Sequence, residues 1–300
     1  MSKSNRYQVM WLALAIAGAV TFSMSAQASL AMSPGLIASR DVTPGAPEVD
    51  LMGNSPSTFL IHNTSDFAQG YSILVEKPSG GGWELGYEAI PDISWLRTEP
   101  AVIDVNPKSV GKFKVFIKVP AKPEYYNRKW MAYAIVTPGK EAAKTGNPIG
   151  LRVACRLQIE TVSNAASDGV NAGNLSIVPA EITANADAGV SFDQTVKVRN
   201  NTDAEHTYTI KGIKVAEPDG EKHPRYYGPG FEMVKDSSWV EAKQTFVLKP
   251  NETLELKLKV QIPAATPVGK KYEELLFFFD EKGCKNFLRI RTEIPKADGK

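Results

Sequence analysis

The first half of this 300-residue chain is written again, in diverged form, in its second half. "IHNTSDFAQGYSI" (61–73) aligns with "VRNNTDAEHTYTI" (198–210), which sets Tyr71 against Tyr208. "DISWL" (92–96) aligns with "DSSWV" (236–240), and "VNPKSVGKFKVFIKVP" (105–120) with "LKPNETLELKLKVQIP" (248–263). "KWMAYAIV" (129–136) aligns with "KYEELLFF" (271–278). The order is the same in both halves, and the offset shifts only where loops lie. Such a series constrains the fold more than any single motif, because a structure that suits one half must suit the other.

Each half reads as β. In "FKVFIKV" (113–119), Phe113, Val115, Ile117 and Val119 share one face, with lysines on most of the other. "LELKLKVQI" (254–262) alternates more cleanly, with Leu254, Leu256, Leu258, Val260 and Ile262 against Glu255, Lys257, Lys259 and Gln261. Period two with one polar face describes a half-buried antiparallel strand. "AYAIV" and "ELLFFF" are more continuously apolar, as expected of central strands. "NTSD", "NNTD", "KPSGGG" and "EPDGE" carry turn chemistry, since Asn, Asp and Gly tolerate positive φ and Pro fixes it. Strand candidates in the first half fall near 36–42, 57–62, 71–77, 102–105, 112–119, 129–136 and 149–160. Short strands at this spacing, without helices, predict an immunoglobulin-like sandwich. The expected fold class is therefore all-β: two tandem immunoglobulin-like β-sandwich domains, an internal repeat. The domains are expected at 29–161 and 174–296, with a linker at 162–173 that is loose by composition and a short tail at 297–300. Trp95 and Trp239 are expected to be core residues that repeat because the fold repeats.

The N-terminus has the order of a secretory signal peptide: Lys3 and Arg6, then the apolar run "VMWLALAIAGAV" (9–20), then "AQA" (26–28). Cleavage is expected after Ala28. The run is too short to span a bilayer, and nothing later is apolar for long enough to do so. The expected location is the periplasm or cell surface. Of 35 basic residues the signal carries two and none of the 33 acids, so the exported chain is balanced in charge. That excludes the basic footprint nucleic-acid binding requires. Cys155 and Cys284, one per half, are expected as separate thiols; two cysteines make neither a metal site of the usual spacing nor a disulfide scaffold.

No catalytic constellation emerges. HExxH, CxxC and GxSxG are absent, and "SGGGW" (79–83) leads into no helix that could cradle phosphate. His62, His206 and His223 lie at strand ends or in loops, without metal-ligand spacing. Glu273 and Glu274 are neighbours on a strand and point to opposite faces. The expectation is a non-enzymatic protein with no metal or cofactor. Candidate partner contacts are the aromatics of the loop before each Trp phrase: Trp83 and Tyr87 in the first half, Tyr226, Tyr227 and Phe231 in the second. "KPEYYNRKW" (122–130) offers Tyr125 and Tyr126 in the same sense. The alternation of "NPIGLRVACRLQIET" (147–161) is long for a sandwich strand and, at a sheet edge, could template a strand of another chain.

The stretches from "NPKSVGKFKVFIKVP" through "NRKWMAYAIV" to "NPIGLRVACRLQIET" resemble the first domain of periplasmic pilus chaperones. The resemblance implies strand lending by residues 149–159 and, by position, Arg40 in "IASRDVTPG" and Arg156 in "VACRLQI" as the pair holding a pilin-like subunit's carboxylate. The "SW[LV]" and paired-proline pattern over both halves resembles more broadly the immunoglobulin- and fibronectin-like tandem modules of bacterial envelope proteins. That resemblance implies binding or scaffolding of another cell-envelope protein or polysaccharide.

Overall fold

The computed structural model describes residues 30–53, 58–79, 84–139, 151–170, 173–212, 227–234 and 239–296. The expected signal peptide, Trp83, Tyr226 and Ile149 lie outside these residues. The first half supplies β1 (Leu30–Ser33), β2 (Leu36–Val42), β3 (Val49–Asp50), β4 (Phe59–Asn63), β5 (Gln69–Glu76) and β6 (Glu88–Ala89). It continues with β7 (Leu96–Glu99), β8 (Val102–Val105), β9 (Ser109–Ile117), β10 (Lys129–Pro138) and β11 (Val153–Thr161). The second half supplies β12 (Leu175–Val178), β13 (Glu181–Asn185), β14 (Ser191–Asn200), β15 (His206–Gly212) and β16 (Glu232–Met233). It closes with β17 (Val240–Ala242), β18 (Thr245–Leu248), β19 (Thr253–Gln261), β20 (Lys271–Asp280) and β21 (Gly283–Glu293). No helix among the described residues is long and apolar enough to cross a membrane.

The fold is all-β, two immunoglobulin-like sandwiches in tandem, and their sheets have matching orders. In the first, β1-β4-β9-β3 faces β2-β11-β10-β5-β8, with β7 on β9 and β6 on β10. In the second, β12-β14-β19-β17 faces β13-β21-β20-β15-β18, with β16 on β20. The first strand of each half changes sheets part-way. β1 pairs with β4, but β2, beyond Pro34, runs parallel to β11. β12 pairs with β14, and β13, beyond Pro179, runs parallel to β21. A proline has no N–H to donate to a ladder, so each one releases its strand from the first sheet. This split accounts for a pair of segments where one strand was expected near 36–42.

The repeated phrases have repeated jobs. Asn63 donates to the carbonyls of Phe67, Val105 and Asn106 and accepts from the N–H and hydroxyl of Ser65. Asn200 does the same with Ala204, Leu248, Lys249 and Thr202. Each amide thereby satisfies the backbone of a buried corner that no ladder reaches. Asp92 of the Trp phrase accepts from the Ser94 N–H at 2.9 Å and caps the turn before β7. The Trp95 carbonyl then accepts from Lys118, and the Trp239 carbonyl from Gln261. Trp239 is buried on Tyr272, ring centroids 4.9 Å apart. Trp95 departs from expectation: it is half-buried at the end of the sandwich, covered by Tyr125 at 4.7 Å, while Trp130 holds the core position beneath it.

The alternating strands place their apolar parity inward as read: Phe113, Val115 and Ile117 in β9, and Leu256, Leu258 and Val260 in β19, are buried. β10 and β20 are buried on both faces. Trp130, Ala132, Ala134 and Val136 enter the first core, whereas Met131 joins Leu275, Phe277, Phe287 and Tyr87 in a separate cluster between the sandwiches. Glu273 and Glu274 do point to opposite faces. Glu273 enters the junction, and Glu274 enters the second sandwich, where its Oε2 has no hydrogen-bond partner.

Two outcomes follow for stability. Trp130→Ala is expected to cost about 3–5 kcal/mol and Trp95→Ala clearly less, read from denaturant melts, because only the former leaves an enclosed cavity. Burial pushes the Glu274 carboxyl up to about 7, against a hydrogen bond from the Trp239 backbone. A carboxyl raised in the fold contributes its stability below the ordinary value of 4.5 and loses it as pH rises through about 7. Glu274→Gln should therefore stabilise the protein above pH 7 by up to about 3 kcal/mol and change little near pH 4. Equal melts of variant and wild type at pH 8 would contradict this.

Candidate functional site

The outer faces of β10–β11 and β20–β21 meet, and the meeting point carries the densest charge in the molecule. On β11 the parity opposite to the core is Arg156, Gln158 and Glu160; on β21 it is Phe287, Arg289 and Arg291. Phe287 anchors the apolar part, 5.3 Å from Phe277 and 5.6 Å from Tyr87. The loop before β6 reaches across from the first sandwich. Gly86 has φ +75 and lies so close to the Phe287 ring that a Cβ would sit 2.5 Å from it, so the approach requires glycine.

Around this apolar plug runs a continuous ion network. Arg289, 1% exposed, donates to both oxygens of Glu160 at 2.8 and 2.9 Å, and its other Nη lies 2.7 Å from Glu273. Arg291 joins Glu273 at 2.7 Å to Glu181 at 2.9 Å. Glu160 also accepts from the Tyr87 hydroxyl at 2.7 Å and forms an ion pair with Arg40, whose Nε is 3.3 Å away. Lys129 contributes Nζ to Asn286 at 3.2 Å and stands over Phe287 at 4.4 Å. Burial alone would raise the Glu160 carboxyl, but the charges of Arg289, Arg40 and Lys129 bring it down to about 2. Burial lowers the Lys129 ammonium to about 8, with Glu160 opposing it. A cavity of ≈ 40 Å³ remains beside Arg40, Arg128, Lys129, Glu160, Glu181 and Arg289. The segment after β11 is tied in as well: Asn127 accepts from Ser163, Asn164 and Ala180 and donates to the Asn164 carbonyl. Ser163 and Asn164 are thus held by side-chain hydrogen bonds that composition does not reveal.

The residues singled out from sequence are redistributed by this geometry. Arg40 and Arg156 are both at the junction, but each is engaged by an acid of its own chain, Arg40 by Glu160 and Arg156 by Glu84. In register Arg156 stands opposite Leu36, four residues from Arg40 along β2, so the two do not form a common pair. Tyr87 and Tyr227 belong to the apolar cluster inside the junction rather than to an outward contact surface. Phe231 lies under Arg291 at 4.8 Å and Lys271 at 5.9 Å. Tyr125 covers Trp95 and Trp130, and Tyr126 reaches the Pro44 carbonyl. The strand expected to be lent, 149–159, is already interior from Arg156 onward, paired with β10 on one side and β2 on the other. Val153, Ala154 and Cys155 pair with β10 alone among the described strands. Cys155 and Cys284 are separate free thiols.

Glu160, Arg289, Lys129 and Glu84 were not singled out, and Glu273 was weighed only as a carboxylate beside Glu274. Their signal was present in weak form: Met131, Phe277 and Phe287 are apolar residues on the charged parity of their strands, which a solvated face would not carry.

No protein-family model matches the chain, and no curated protein matches it. Among solved structures it is similar to a Porphyromonas gingivalis W83 protein of unknown function at 9% identity, covering 89% of this chain and 100% of that one, with a TM-score of 0.32. It is similar to the E. coli chaperone DraB at 11% identity, covering 89% and 96%, with a TM-score of 0.29. It is also similar to a Salmonella enterica complex of SafA pilin with the SafB chaperone at 12% identity, covering 87% and 95%, with a TM-score of 0.28.

The depressed carboxyl of Glu160 gives an acid limb to stability. A group lowered in the fold contributes above its unfolded value, here 4.5, and loses that contribution as pH falls through about 2. Denaturant melts between pH 5 and 2 should show a loss of about 3 kcal/mol from this carboxylate. Glu160→Gln should be destabilised at pH 7 and should lack that part of the limb. A variant with the wild-type pH dependence would place the acid limb elsewhere.

Proposed function

We propose that this chain is a non-enzymatic, exported binding protein that holds another cell-envelope protein by adding one of its strands to the open end of β11. The observation carrying this reading is the change of neighbours along that strand. From Arg156 onward β2 covers its edge; at Val153–Cys155 no described strand does. The Arg156 N–H donates to Gly35 on the β2 side. N–H groups alternate in direction along a strand, so the Ala154 N–H points the same way, toward the open edge. Leu151, Val153 and Cys155 keep the apolar parity packed on the first core beneath it. A strand added there continues the line of β2 and gains ladder hydrogen bonds plus pockets for alternate side chains.

The narrower reading, a pilus-type chaperone acting on fibre subunits, draws on the same open edge. It also requires cations for a subunit's carboxylate, and Arg40 and Arg156 are bound to Glu160 and Glu84. Polysaccharide contact through the aromatic loops is disfavoured, since Tyr87 and Tyr227 are inside the junction.

Ala154→Pro tests the reading because it removes the outward N–H and leaves the β10 ladder intact. Tagged protein expressed with its signal should recover a partner from the periplasm or outer surface, and the A154P protein, melting near wild type, should not. Recovery of the same partner by A154P would refute strand addition. If Arg156→Ala, still folded, loses a fibre subunit while other surface changes do not, the chaperone reading takes precedence.

A further inference from the structure

We propose that His206, Asp280 and Glu281 form a divalent-metal site on the second sandwich, with Zn²⁺ as the ion that its donors fit. His206 opens β15, Asp280 ends β20 and Glu281 lies in the turn to β21, so the sheet brings together residues far apart in sequence. Their donor atoms all lie within 4.8 Å of one another. Nδ1 of His206 is 3.0 Å from Glu281 Oε1 and 3.7 Å from Asp280 Oδ2. The second separation is too long for a hydrogen bond. It is close to the spacing of about 3.4 Å that two donors have when each binds a tetrahedral zinc at 2.0–2.1 Å.

The first two donors are held in place. The side chains of His206 and Asp280 are 8% and 3% exposed. Asp280 Oδ1 accepts from the Lys282 N–H at 2.8 Å and lies 3.2 Å from Lys285 Nζ, which turns Oδ2 toward the ring. Metal-binding carboxylates are commonly oriented by such outer contacts. Glu281, 57% exposed, is able to close on an ion. The fold itself does not require the cluster. At the matching places of the first sandwich stand Gln69, Pro138 and Gly139, and the strands pair equally well. One imidazole and two carboxylates suit zinc; calcium takes six to eight oxygen ligands.

The test uses tag-free full-length protein, titrated calorimetrically with Zn²⁺ and, separately, with Ca²⁺, and followed by visible absorption with Co²⁺. The wild type should bind one Zn²⁺, and Co²⁺ should give tetrahedral d–d bands. His206→Gln and Glu281→Gln should each weaken zinc at least about tenfold and remove those bands. Lys285→Met should bind zinc more tightly, because a neighbouring ammonium is gone. That gain distinguishes a metal site from an ion pair between His206 and the acids. Absence of zinc binding by the wild type, equal affinity in folded H206Q, or Ca²⁺ binding as tight as Zn²⁺ would each overturn the proposal.

Discussion

The relative placement of the two sandwiches depends on one buried contact, the guanidinium of Arg289 on the carboxylate of Glu160. Both groups have left water, which costs several kcal/mol per ion before any pairing. The loss is offset only by opposite charges and hydrogen-bond donors held close by. Glu273, Arg40 and Tyr87 surround the pair with further charges and a hydroxyl, drawing on both halves of the chain. Attraction between the sandwiches comes instead from the apolar plug of Met131, Leu275, Phe277 and Phe287. The two terms do different work. Apolar contact tolerates sliding, whereas a displaced Arg289 would leave charges buried and unpaired, so the ion network selects one arrangement.

That rigidity shapes what each sandwich can offer. The lower part of the first sandwich's β10–β11 sheet is consumed by the junction, together with Arg40, Arg156 and Tyr87. At the far end of the same sheet, β2 no longer pairs with β11. The two halves share their corner asparagines, their strand-switching prolines and their sheet order, yet have diverged where the scaffold is indifferent. Ala132 in one core corresponds to Glu274 in the other, and Gln69 to His206. Positions that differ between otherwise matching strands are free of the fold's demands, and chemistry unrelated to stability concentrates there.

Much of the fold was legible in the sequence. Alternation of the apolar parity fixed β9 and β19, because a half-buried strand must bury every second residue. The paired phrases announced a shared topology, since the Asn63 and Asn200 corners and the Trp95 and Trp239 carbonyl bonds rely on short-range geometry. The site was less legible. Arg40 and Arg156 were found at the junction, but their acids, Glu160 and Glu84, were not, since a charge on a polar parity looks like a solvated surface. Tyr87, in the loop before β6, read as part of an outward surface because an aromatic beside Gly in a loop carries no sign of the sheet that covers it.

By itself the sequence determined the class of structure: β throughout, sandwich by sandwich, with cores set by periodicity and corners set by Asn, Gly and Pro. These are local properties, encoded within a few residues of where they act. The tertiary structure alone decided which polar faces meet water and which meet each other. It carried Arg289 to Glu160 across 129 residues of chain and left Val153–Cys155 with β10 as their one partner among the described strands. It also set His206 beside Asp280 and Glu281. Such pairings depend on where the second sandwich lands on the first, or one sheet strand beside another. That placement is fixed by the sum of many contacts over the whole chain, and no single stretch contains it.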